Sequence, residues 1–325
     1  PALSVAAAVA LDVAAMASYD RLVTAEGQND FQHVKSVGVI GAGVAGLQMA
    51  RACKAYGISV KMFEKAPDVG GLWRENYSSY AVQVPKQFYE FPDFPFAAVP
   101  WGDYSTGAQT AKYIKEYAQH FDLIDCIAFK SEITAMEPRK DGKPGWTFKV
   151  RTLGGSVKEE HFDFAVVATG MYSSPPNMPS YEGQANFGGQ VIHSSQYLSQ
   201  DIAKGKKVVV VGGSKSSIDI TVDTSKVSAA PPTMVARNFH WATPRWIAGL
   251  IPFQFIFLSR LGQALVTWYK GPWPVGAPCY CKPLCYLLFP IMWIAFRLVE
   301  LIIAIQHLMG FKYLPPNDVV ADFCG

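Results

Sequence analysis

Short apolar runs followed by glycine or a charged residue recur along the chain and predict buried parallel strands. The first run, Ser36 to Ile40, leads directly into glycines, and the second, Ile58 to Phe63, ends at an acidic residue. Runs without polar alternation are typical of strands that are covered on both faces. Three later runs have the same form: Phe164 to Val167, Lys206 to Val211 and Thr233 to Ala236. The pattern therefore predicts an α/β protein.

A different apolar pattern occupies the last quarter of the chain. Phe253 to Leu258 and Leu284 to Ile305 are strongly apolar, and Pro290, Arg297 and Glu300 interrupt the second stretch. The interruptions leave no uniform run of about 20 apolar residues. Three interpretations stay open: inserted helices packed as core, a membrane-binding patch, and a transmembrane helix. Arg297 and Glu300 stand three positions apart and can pair on one helical face.

Composition narrows the class of protein. The chain has 325 residues, of which 50% are hydrophobic and 17% are charged, and its net charge is +3. This composition excludes general disorder, and the small charge gives no field for gathering nucleic acid. The cysteines, six in number, are too sparse for a secreted disulfide scaffold and lack zinc-ligand spacing, so we expect no metal site. An intracellular protein, cytoplasmic or membrane-associated, is the expectation.

The glycines after the first run form a dinucleotide-binding pattern. Gly41, Gly43 and Gly46 give G-x-G-x-x-G between a predicted strand and a predicted helix. Glycine permits a tight turn, close approach of the backbone to a pyrophosphate, and close packing of helix on strand. Glu64 follows 23 residues after Gly41, near the spacing at which a carboxylate accepts hydrogen bonds from ribose hydroxyls. Because a carboxylate repels a 2′-phosphate, the site is predicted to prefer FAD or NAD to NADP.

A second pattern of this kind begins at Gly212, where the sequence reads Gly-Gly-Ser-Lys-Ser-Ser-Ile-Asp. Ser214 and Ser217 stand where the second and third glycines are usual, which predicts weaker or differently posed nucleotide binding. Arg237 ends the next predicted strand, in the position that an acid has in the first unit. A cation there favours the 2′-phosphate of NADPH, and Lys215 is expected to assist.

Further motifs resemble the flavin-containing monooxygenase family. Glu64 is followed by a stretch that ends in Gly-Gly-Leu-Trp at residues 70–73, and a later strand ends in Ala-Thr-Gly at residues 168–170. The most specific motif is F-x-G-x-x-x-H-x-x-x-Y, whose fixed positions are Phe187, Gly189, His193 and Tyr197. The resemblance covers residues 36–245. In the family this motif belongs to the linker that positions the NADPH domain, so His193 is not interpreted as a general base.

The resemblance implies a reaction. NADPH reduces FAD, the reduced flavin captures O2 at C4a as a hydroperoxide, and one oxygen passes to a small nitrogen- or sulfur-containing nucleophile. Tyr197 is followed by Leu198, whereas Baeyer–Villiger enzymes have Trp followed by Pro or Asp, so oxidation of amines or sulfides is favoured. Alternatives are a Baeyer–Villiger or ketoacid-type flavin monooxygenase, and a truncated, catalytically silent, membrane-associated flavoprotein fragment. A disulfide reductase is disfavoured because no C-x-x-C is present.

The resemblance also assigns residues. The family has an Asn beside the flavin shortly before a Lys, and Gln83 stands in that place before Lys86, so Gln83 is the candidate catalytic residue. The candidate partners are a small substrate and O2, with membrane contact through residues 252–311. The candidate cofactor residues are Gly41, Ala42, Gly43, Val44, Ala45, Gly46, Glu64, Lys65, Gly71, Leu72, Trp73, Val82, Gln83, Thr169 and Gly170 for FAD, and Gly212, Ser214, Lys215, Ser216, Ser217 and Arg237 for NADPH.

The implied fold class is α/β, with two Rossmann-like, doubly wound, three-layer dinucleotide-binding domains and an apolar helical insertion in the second. In the family the chain returns to complete the FAD domain after the NADPH domain, and we find no such return, so the C-terminal part is expected to be missing. The expected segments are an Ala-rich, poorly ordered leader at 1–32, the N-terminal part of the FAD domain at 33–171, a linker carrying the motif at 172–203, and the NADPH domain at 204–325 with apolar helices at 247–311.

Overall fold

A computed structural model describes residues 34–100, 102–172, 176–242, 244–260, 282–311 and 315. The predicted leader at 1–32 lies outside the described residues. The chain divides into two compact units, residues 1–199 and 200–325. The division falls inside the predicted linker at 172–203, and each unit is described by itself.

The first unit is built on a parallel sheet. Strand β1 (Ser36–Ile40) runs into helix α1 (Val44–Ala55), which returns the chain to strand β2 (Ser59–Glu64) beside β1. Strands β3 (Ile127–Phe129) and β7 (Phe164–Val167) complete the order β3-β2-β1-β7. The three apolar runs predicted in this part are strands, and Val37 and Val39 of β1 are fully buried, as expected for a central parallel strand.

Different layers cover the two faces of this sheet. On one face lie α1 and helix α2 (Gly107–His120), which pack on Val37, Val39 and Met62. The other face carries an antiparallel sheet of β4 (Ser131–Pro138), β5 (Trp146–Thr152) and β6 (Val157–Phe162). A doubly wound fold has helices on both faces, so this layer of strands differs from the expectation within the part of the chain that the structure describes.

Aromatic rings join the two sheets. Phe63 of β2 makes edge contacts with Phe148 and Phe162, with ring centroids 5.9 Å apart in both pairs. Gly38 lies beneath these rings, since a Cβ there would lie 2.6 Å from carbons of both Phe148 and Phe162. The central strand therefore needs a residue without a side chain where the antiparallel sheet crosses it.

The second unit begins with a smaller parallel pair. Strand β8 (Val209–Val211), helix α3 (Lys215–Thr224) and strand β9 (Thr233–Val235) follow each other, and β8 pairs with β9 in parallel. Only the last three residues of the predicted run Lys206–Val211 form this strand. The valines of the pair remain open to solvent, with Val209 63% and Val211 61% exposed.

The apolar segment predicted to be helical at 247–311 follows in the same unit; it begins with strands instead of a helix, and its residues 261–281 lie outside the described residues. A two-stranded hairpin, β10 (Trp246–Ile247) with β11 (Ile251–Pro252), leads into the short helix α4 (Phe253–Phe257). Helix α5 spans Lys282–Phe311 and continues through Pro290, so the interruptions noted in the sequence do not divide the helix. Arg297 and Glu300 form the expected pair, with 2.8 Å between Nη1 and Oε2.

Candidate dinucleotide-binding sites

The loop between β1 and α1 shows why its glycines are needed. Gly41 has φ +104°, and a Cβ there would lie 2.4 Å from the carbonyl oxygen of Ala168 at the end of β7. At Gly46 a Cβ would lie 2.0 Å from the carbonyl oxygen of Gly41. Both distances are far inside van der Waals contact, so a side chain at either position forces the backbone apart. The tight turn and the close packing of helix on strand, predicted from the spacing, are present.

A second glycine turn faces this loop. The backbone of Gly71 approaches Gly43 so closely that a Cβ on Gly71 would lie 3.1 Å from the Cα of Gly43. The N–H of Gly70 donates to the carbonyl oxygen of Ala42 at 3.0 Å. Helix α1 begins at Val44 without a side-chain cap, so the N–H groups of its first turn are available to an anion. Two bare backbone segments thus meet beside a helix N-terminus, which suits a pyrophosphate.

Glu64 is buried at the end of β2, with 7% of its surface exposed. Its Oε2 accepts from the N–H of Ala42 at 2.8 Å, and its Oε1 accepts from the N–H of Ala66 at 2.9 Å. A carboxylate has about four acceptor positions, so two remain for hydroxyl groups. The neighbouring Lys65 is exposed. The acid therefore holds the glycine loop in place and keeps capacity to bind a ribose.

Trp73 and two tyrosines form an aromatic wall after the second glycine turn. The ring centroids of Tyr80 and Tyr89 lie 6.0 and 5.8 Å from Trp73. The hydroxyl of Tyr80 donates to the carbonyl oxygen of Trp73 at 2.6 Å, and burial raises the pKa of Tyr80, which keeps it a donor. Leu72 is 48% exposed. Tyr80 was not predicted, although the density of aromatic residues at 77–96 was a visible signal.

The backbone is held on both sides of Gln83, whose side-chain amide is exposed. Val82 is buried and its N–H donates to the carbonyl oxygen of Ser105 at 3.1 Å. Lys86 pairs with Glu90 at 3.0 Å and donates to a carbonyl oxygen of the same loop at 2.7 Å. Gln83 itself is exposed. The lysine that follows it therefore braces the loop, and the glutamine is the polar side chain left to face outward.

Two predicted segments of the first unit differ in their contacts: the turn after β7 at Thr169 and Gly170, and the motif at residues 187–197. Thr169 and Gly170 follow β7 and are exposed, and Gly170 has φ +81°. In the later motif, the ring of His193 accepts from the N–H of Ser195 at 3.2 Å and caps a short 3₁₀ turn. Tyr197 is buried, and its carbonyl oxygen accepts from the N–H of Ser78 at 2.6 Å.

The glycine of this motif lies beside an exposed ring that is free to move, so packing does not by itself require a glycine there. A Cβ on Gly189 would lie 2.6 Å from the ring of Phe187, which is itself 61% exposed. The His193 cap and the buried Tyr197 fix the backbone of the segment. These contacts agree with a structural part for the motif and give His193 a local hydrogen-bonding task.

The loop between β8 and α3 is related to the first loop but is built differently. Gly212 has φ +144° and its N–H donates to the carbonyl oxygen of Val235 at 2.8 Å. Ser217, in the third glycine position, is buried, and its hydroxyl donates to the carbonyl oxygen of Ser214 at 2.5 Å. Helix α3 accepts this side chain without a clash, so the loop and helix are more widely spaced than at Gly46.

The polar groups of the second loop lie at the start of α3. Ser214 is the N-cap residue and makes no side-chain cap hydrogen bond. Lys215 forms an ion pair with Asp219 one turn further along the helix. Ser216 is half-buried beside them, and Arg237 is exposed two residues beyond the end of β9. The predicted residues of the second pattern are thus brought to one end of the β8–β9 pair.

The sheet, helix and glycine loop of the first unit have the α/β arrangement of dinucleotide-binding folds. The sequence profile described as FMO-like, flavin-binding monooxygenase-like, matches residues 34–270. Flavin-containing monooxygenase 1 of Homo sapiens is 31% identical over 254 residues, which cover 72% of this chain and 47% of that protein. The probable flavin-containing monooxygenase 1 of Arabidopsis thaliana is 32% identical over 269 residues, covering 70% and 49%.

Solved structures agree in fold. S-allyl-L-cysteine S-oxygenase from Allium sativum superposes with a TM-score of 0.56 at 24% identity, over 66% of this chain and 54% of that one. Cyclohexanone monooxygenase from Rhodococcus, bound to NADP+, gives a TM-score of 0.54 at 25% identity, over 65% and 39%. The chain belongs to the flavin-binding monooxygenase-like family, as the motifs predicted. It spans about half the length of the curated relatives that it matches.

Proposed function

We propose that the first loop binds FAD. The single observation that carries this proposal is the bare backbone cradle formed by Gly41, Gly43 and Gly71 beside the buried Glu64. A pyrophosphate fits where no side chain intervenes and helix N–H groups are free to donate, and a carboxylate fits the adenosine ribose. Leu72, Trp73, Val82 and Gln83 would then flank the flavin end, and Thr169 and Gly170 the turn next to it.

We further propose that the second loop binds NADPH, with residues 204–325 as a second dinucleotide-binding domain and residues 247–311 as its helical insertion. Residues 33–171 form the FAD domain and residues 172–203 the linker in this proposal. Arg237 supplies the cation for a 2′-phosphate, and Ser214, Lys215 and Ser216 offer hydroxyl and ammonium donors at the helix start. To reach a phosphate, Lys215 has to leave its ion pair with Asp219.

The activity proposed is that of an FAD- and NADPH-dependent monooxygenase acting on a small substrate with a nucleophilic nitrogen or sulfur. FAD, once bound and reduced by NADPH, would supply the chemistry that activates O2. The protein's own residues bind the two nucleotides, exclude water and offer hydrogen bonds. Gln83 is the proposed catalytic donor because its amide is exposed while Val82 and Lys86 hold its backbone.

Two measurements test the proposal. Purified chain incubated with FAD and desalted should retain flavin absorbance, and NADPH should bleach it under nitrogen until air restores it. With Gln83→Ala, flavin retention and NADPH oxidation should stay unchanged while more of the consumed O2 appears as hydrogen peroxide. Gln48→Ala, an exposed glutamine on α1, is the matched control. Unchanged coupling of NADPH use to product in Gln83→Ala would remove Gln83 from the mechanism.

Membrane contact through residues 252–311 is part of the proposal, with an intracellular, membrane-associated location. Within α5, residues 286–310 are long and apolar enough to cross a membrane by length and composition, with mean hydropathy 2.1, and 17% of the most apolar stretch is buried. Most of this apolar surface therefore has no protein cover among the described residues, which supports a lipid partner.

A further inference from the structure

The second glycine turn, residues 70–73, is held at its two ends by different hydrogen bonds. At its start the N–H of Gly70 donates to the carbonyl oxygen of Ala42 in the first loop, at 3.0 Å. At its end the carbonyl oxygen of Trp73 accepts from the hydroxyl of Tyr80, at 2.6 Å. The chain between them makes a single 3₁₀ turn, and a turn this short depends on outside contacts for its shape. Tyr80 therefore supports the end of the turn that Ala42 does not hold.

The ring of Tyr80 occupies a place that the start of helix α2 leaves open. A Cβ on Gly107, the first residue of α2, would lie 2.1 Å from the ring. The backbone of Gly107 is helical, a conformation that any residue can adopt, so the turn itself does not call for a glycine. Because the half-buried ring is tied to Trp73 by its hydroxyl, it cannot swing aside without losing that bond. The glycine makes room for the tyrosine.

The backbone of Tyr80 begins a pairing with the segment that precedes α2, residues 103–107. The carbonyl oxygen of Tyr80 accepts from the N–H of Gly107 at 2.9 Å. Two residues further on, the N–H of Val82 donates to the carbonyl oxygen of Ser105 at 3.1 Å. Gln83 directly follows Val82. The tyrosine and the glutamine thus stand on one backbone segment with a common support.

This support is itself firmly attached to α2. The hydroxyl of Thr106 accepts from the N–H of Gln109, and the side chain of Gln109 accepts from the N–H of Thr106 in return, which forms a capping box. Ser105 is fully buried, and its hydroxyl lies 2.9 Å from that of Thr110. A capped helix start has little freedom to fray, so segment 103–107 is a fixed reference for the chain that pairs with it.

Tyr80 consequently joins two parts of the proposed flavin end. Its hydroxyl holds Trp73, and its backbone lies three residues before Gln83, a distance of at most about 10 Å along an extended chain. A movement of the tyrosine therefore changes the separation between the turn that carries Leu72 and Trp73 and the segment that carries Gln83.

The hydroxyl, and not the ring alone, makes this connection. Tyr89 also places its ring against Trp73, with centroids 5.8 Å apart, but its hydroxyl makes no hydrogen bond to any described residue. Burial raises the pKa of Tyr80, so its hydroxyl remains a donor across the neutral range. The two tyrosines differ in the one bond that fixes the turn.

We infer that Tyr80 is a positioning residue for the flavin end of FAD, which its hydroxyl provides for by holding residues 70–73 in register with the segment of Gln83. The inference rests on the proposed binding of FAD at the first loop. Tyr80 acts through Trp73 and through its own backbone.

The first experiment compares FAD with ADP, which has the adenosine and the pyrophosphate but no flavin. Titration of the full chain with Tyr80→Phe should raise the Kd for FAD about fivefold or more, as expected for one lost hydrogen bond, and leave the Kd for ADP unchanged. Tyr89→Phe, which removes a hydroxyl from the same aromatic wall, is the matched control and should alter neither. An unchanged Kd for FAD in Tyr80→Phe, or an equal loss for ADP, would overturn the inference.

A second variant disturbs the same contact from the other side. Gly107→Ala keeps the hydroxyl but places a methyl group where the ring lies, so it should also weaken FAD and spare ADP. Gly188→Ala is the control, because a Cβ there meets nothing within 4 Å. Wild-type affinity for FAD in Gly107→Ala would show that the position of the ring does not matter and would contradict the inference.

The third measurement needs no nucleotide. Hydrogen exchange at the amides of Trp73 and Arg74, which close the 3₁₀ turn, should be faster in Tyr80→Phe than in the wild type. Exchange at Leu47, whose N–H donates to Gly43 in the first loop, should stay the same. Equal exchange at all three amides would show that the hydroxyl does not hold the turn.

The outcomes separate this inference from the function on which it rests. A wild-type chain that binds neither FAD nor ADP contradicts the proposed function, and the positioning role fails with it. A wild-type chain that binds FAD as well as Tyr80→Phe does contradicts the role of Tyr80 alone.

Discussion

The two glycine loops of this chain each connect a strand to a helix, but the first is packed more tightly against its surroundings than the second. In the first, Gly46 packs so tightly that a Cβ would lie 2.0 Å from a backbone oxygen, and the carboxylate of Glu64 accepts a hydrogen bond from the N–H of Ala42 in the loop. In the second, Ser217 occupies the equivalent position and hydrogen-bonds within its own turn. The first strand is flanked by β2 and β7, whereas β8 has β9 as its one strand partner among the described residues.

This difference suits two different ligands. A tightly packed loop with a buried acid is preorganised, so little conformational entropy remains to be lost on binding. A loosely packed loop with exposed polar groups binds more weakly and exchanges its ligand more readily. The FAD proposed for the first loop would then be held firmly, and the NADPH proposed for the second loop would exchange readily.

Exchanging the third residue of each loop tests the comparison most severely. Gly46→Ser introduces the residue of the second loop into the first, and the clash with the Gly41 carbonyl should cost about 3 kcal/mol of unfolding free energy and abolish FAD retention. The reverse change, Ser217→Gly, should cost about 1 kcal/mol, from one hydrogen bond and helix propensity.

The measurement for both changes is urea unfolding together with flavin absorbance after desalting. Gly188→Ala is the control in the first unit, because a Cβ there meets nothing within 4 Å. If Gly46→Ser and Ser217→Gly prove equally mild, the two loops are equally tolerant and the comparison fails.

Glu64→Gln tests the acid beneath the first loop. The glutamine has one oxygen for the two N–H groups of Ala42 and Ala66, so its NH2 group opposes one buried donor. The expected loss is about 1 to 3 kcal/mol of unfolding free energy, with weaker FAD binding. Urea midpoints and FAD titrations give the result, with the exposed Glu182→Gln as control. Unaltered stability would show that Glu64 does not hold the loop.

Arg237→Ser tests the second loop through its cofactor preference. Loss of a charge-assisted contact with a 2′-phosphate should weaken NADPH binding about tenfold or more while NADH binding stays the same. Titration of both nucleotides, with the exposed Lys207→Ser as control, measures the ratio. Parallel weakening of NADPH and NADH would mean that Arg237 does not contact the 2′-phosphate.

Asp163→Asn has the smallest expected effect and tests how the first unit's central strand begins. The backbone N–H of Lys35 donates to this carboxylate at 2.9 Å and lowers the pKa of Asp163, helped by the hydroxyl and N–H of Ser36. A lowered pKa stabilises the fold above the ordinary value of about 3.9, and this stabilisation is lost as the pH falls through the folded pKa.

Urea midpoints of the wild type should therefore decline more steeply than those of Asp163→Asn below about pH 4, and the two curves should converge at low pH. An identical pH dependence for both proteins would show that the carboxylate contributes nothing to the start of β1.

Much of the first unit followed from the sequence, because each of its signals is local. The strands at 36–40 and 164–167 and the glycine turn at 41–46 are determined by neighbouring residues, and the structure has them within a residue or two of the prediction. Glu64 was located by spacing alone. Its second task, accepting from Ala42, depends on a contact over 22 residues that spacing does not reveal.

What the sequence did not reveal depends on distant contacts. The antiparallel sheet at 131–162 lies on the main sheet because Gly38 leaves room for Phe148 and Phe162, three positions that no local pattern connects. The position of Tyr80 depends on the hydrogen bond from its hydroxyl to the carbonyl oxygen of Trp73 and on Gly107, where a Cβ would clash with the tyrosine ring. The continuation of α5 through Pro290 also runs against the local rule that proline ends a helix. The role of Gln83 stays a prediction.

The pairing of β1 with β7 has a consequence for the timing of synthesis. Ser36 and its partner Asp163 are 127 residues apart, and Gly41 turns against the carbonyl of Ala168 just beyond. A ribosome adding about 5 to 20 residues per second needs roughly 6 to 25 s to make that interval. Until then β1 has no neighbour on that side, so the nascent chain has to remain soluble with its glycine loop unfinished. A proline-rich or slowly translated stretch before residue 163 would lengthen the time during which β1 lacks this neighbour, without altering any contact of the folded protein.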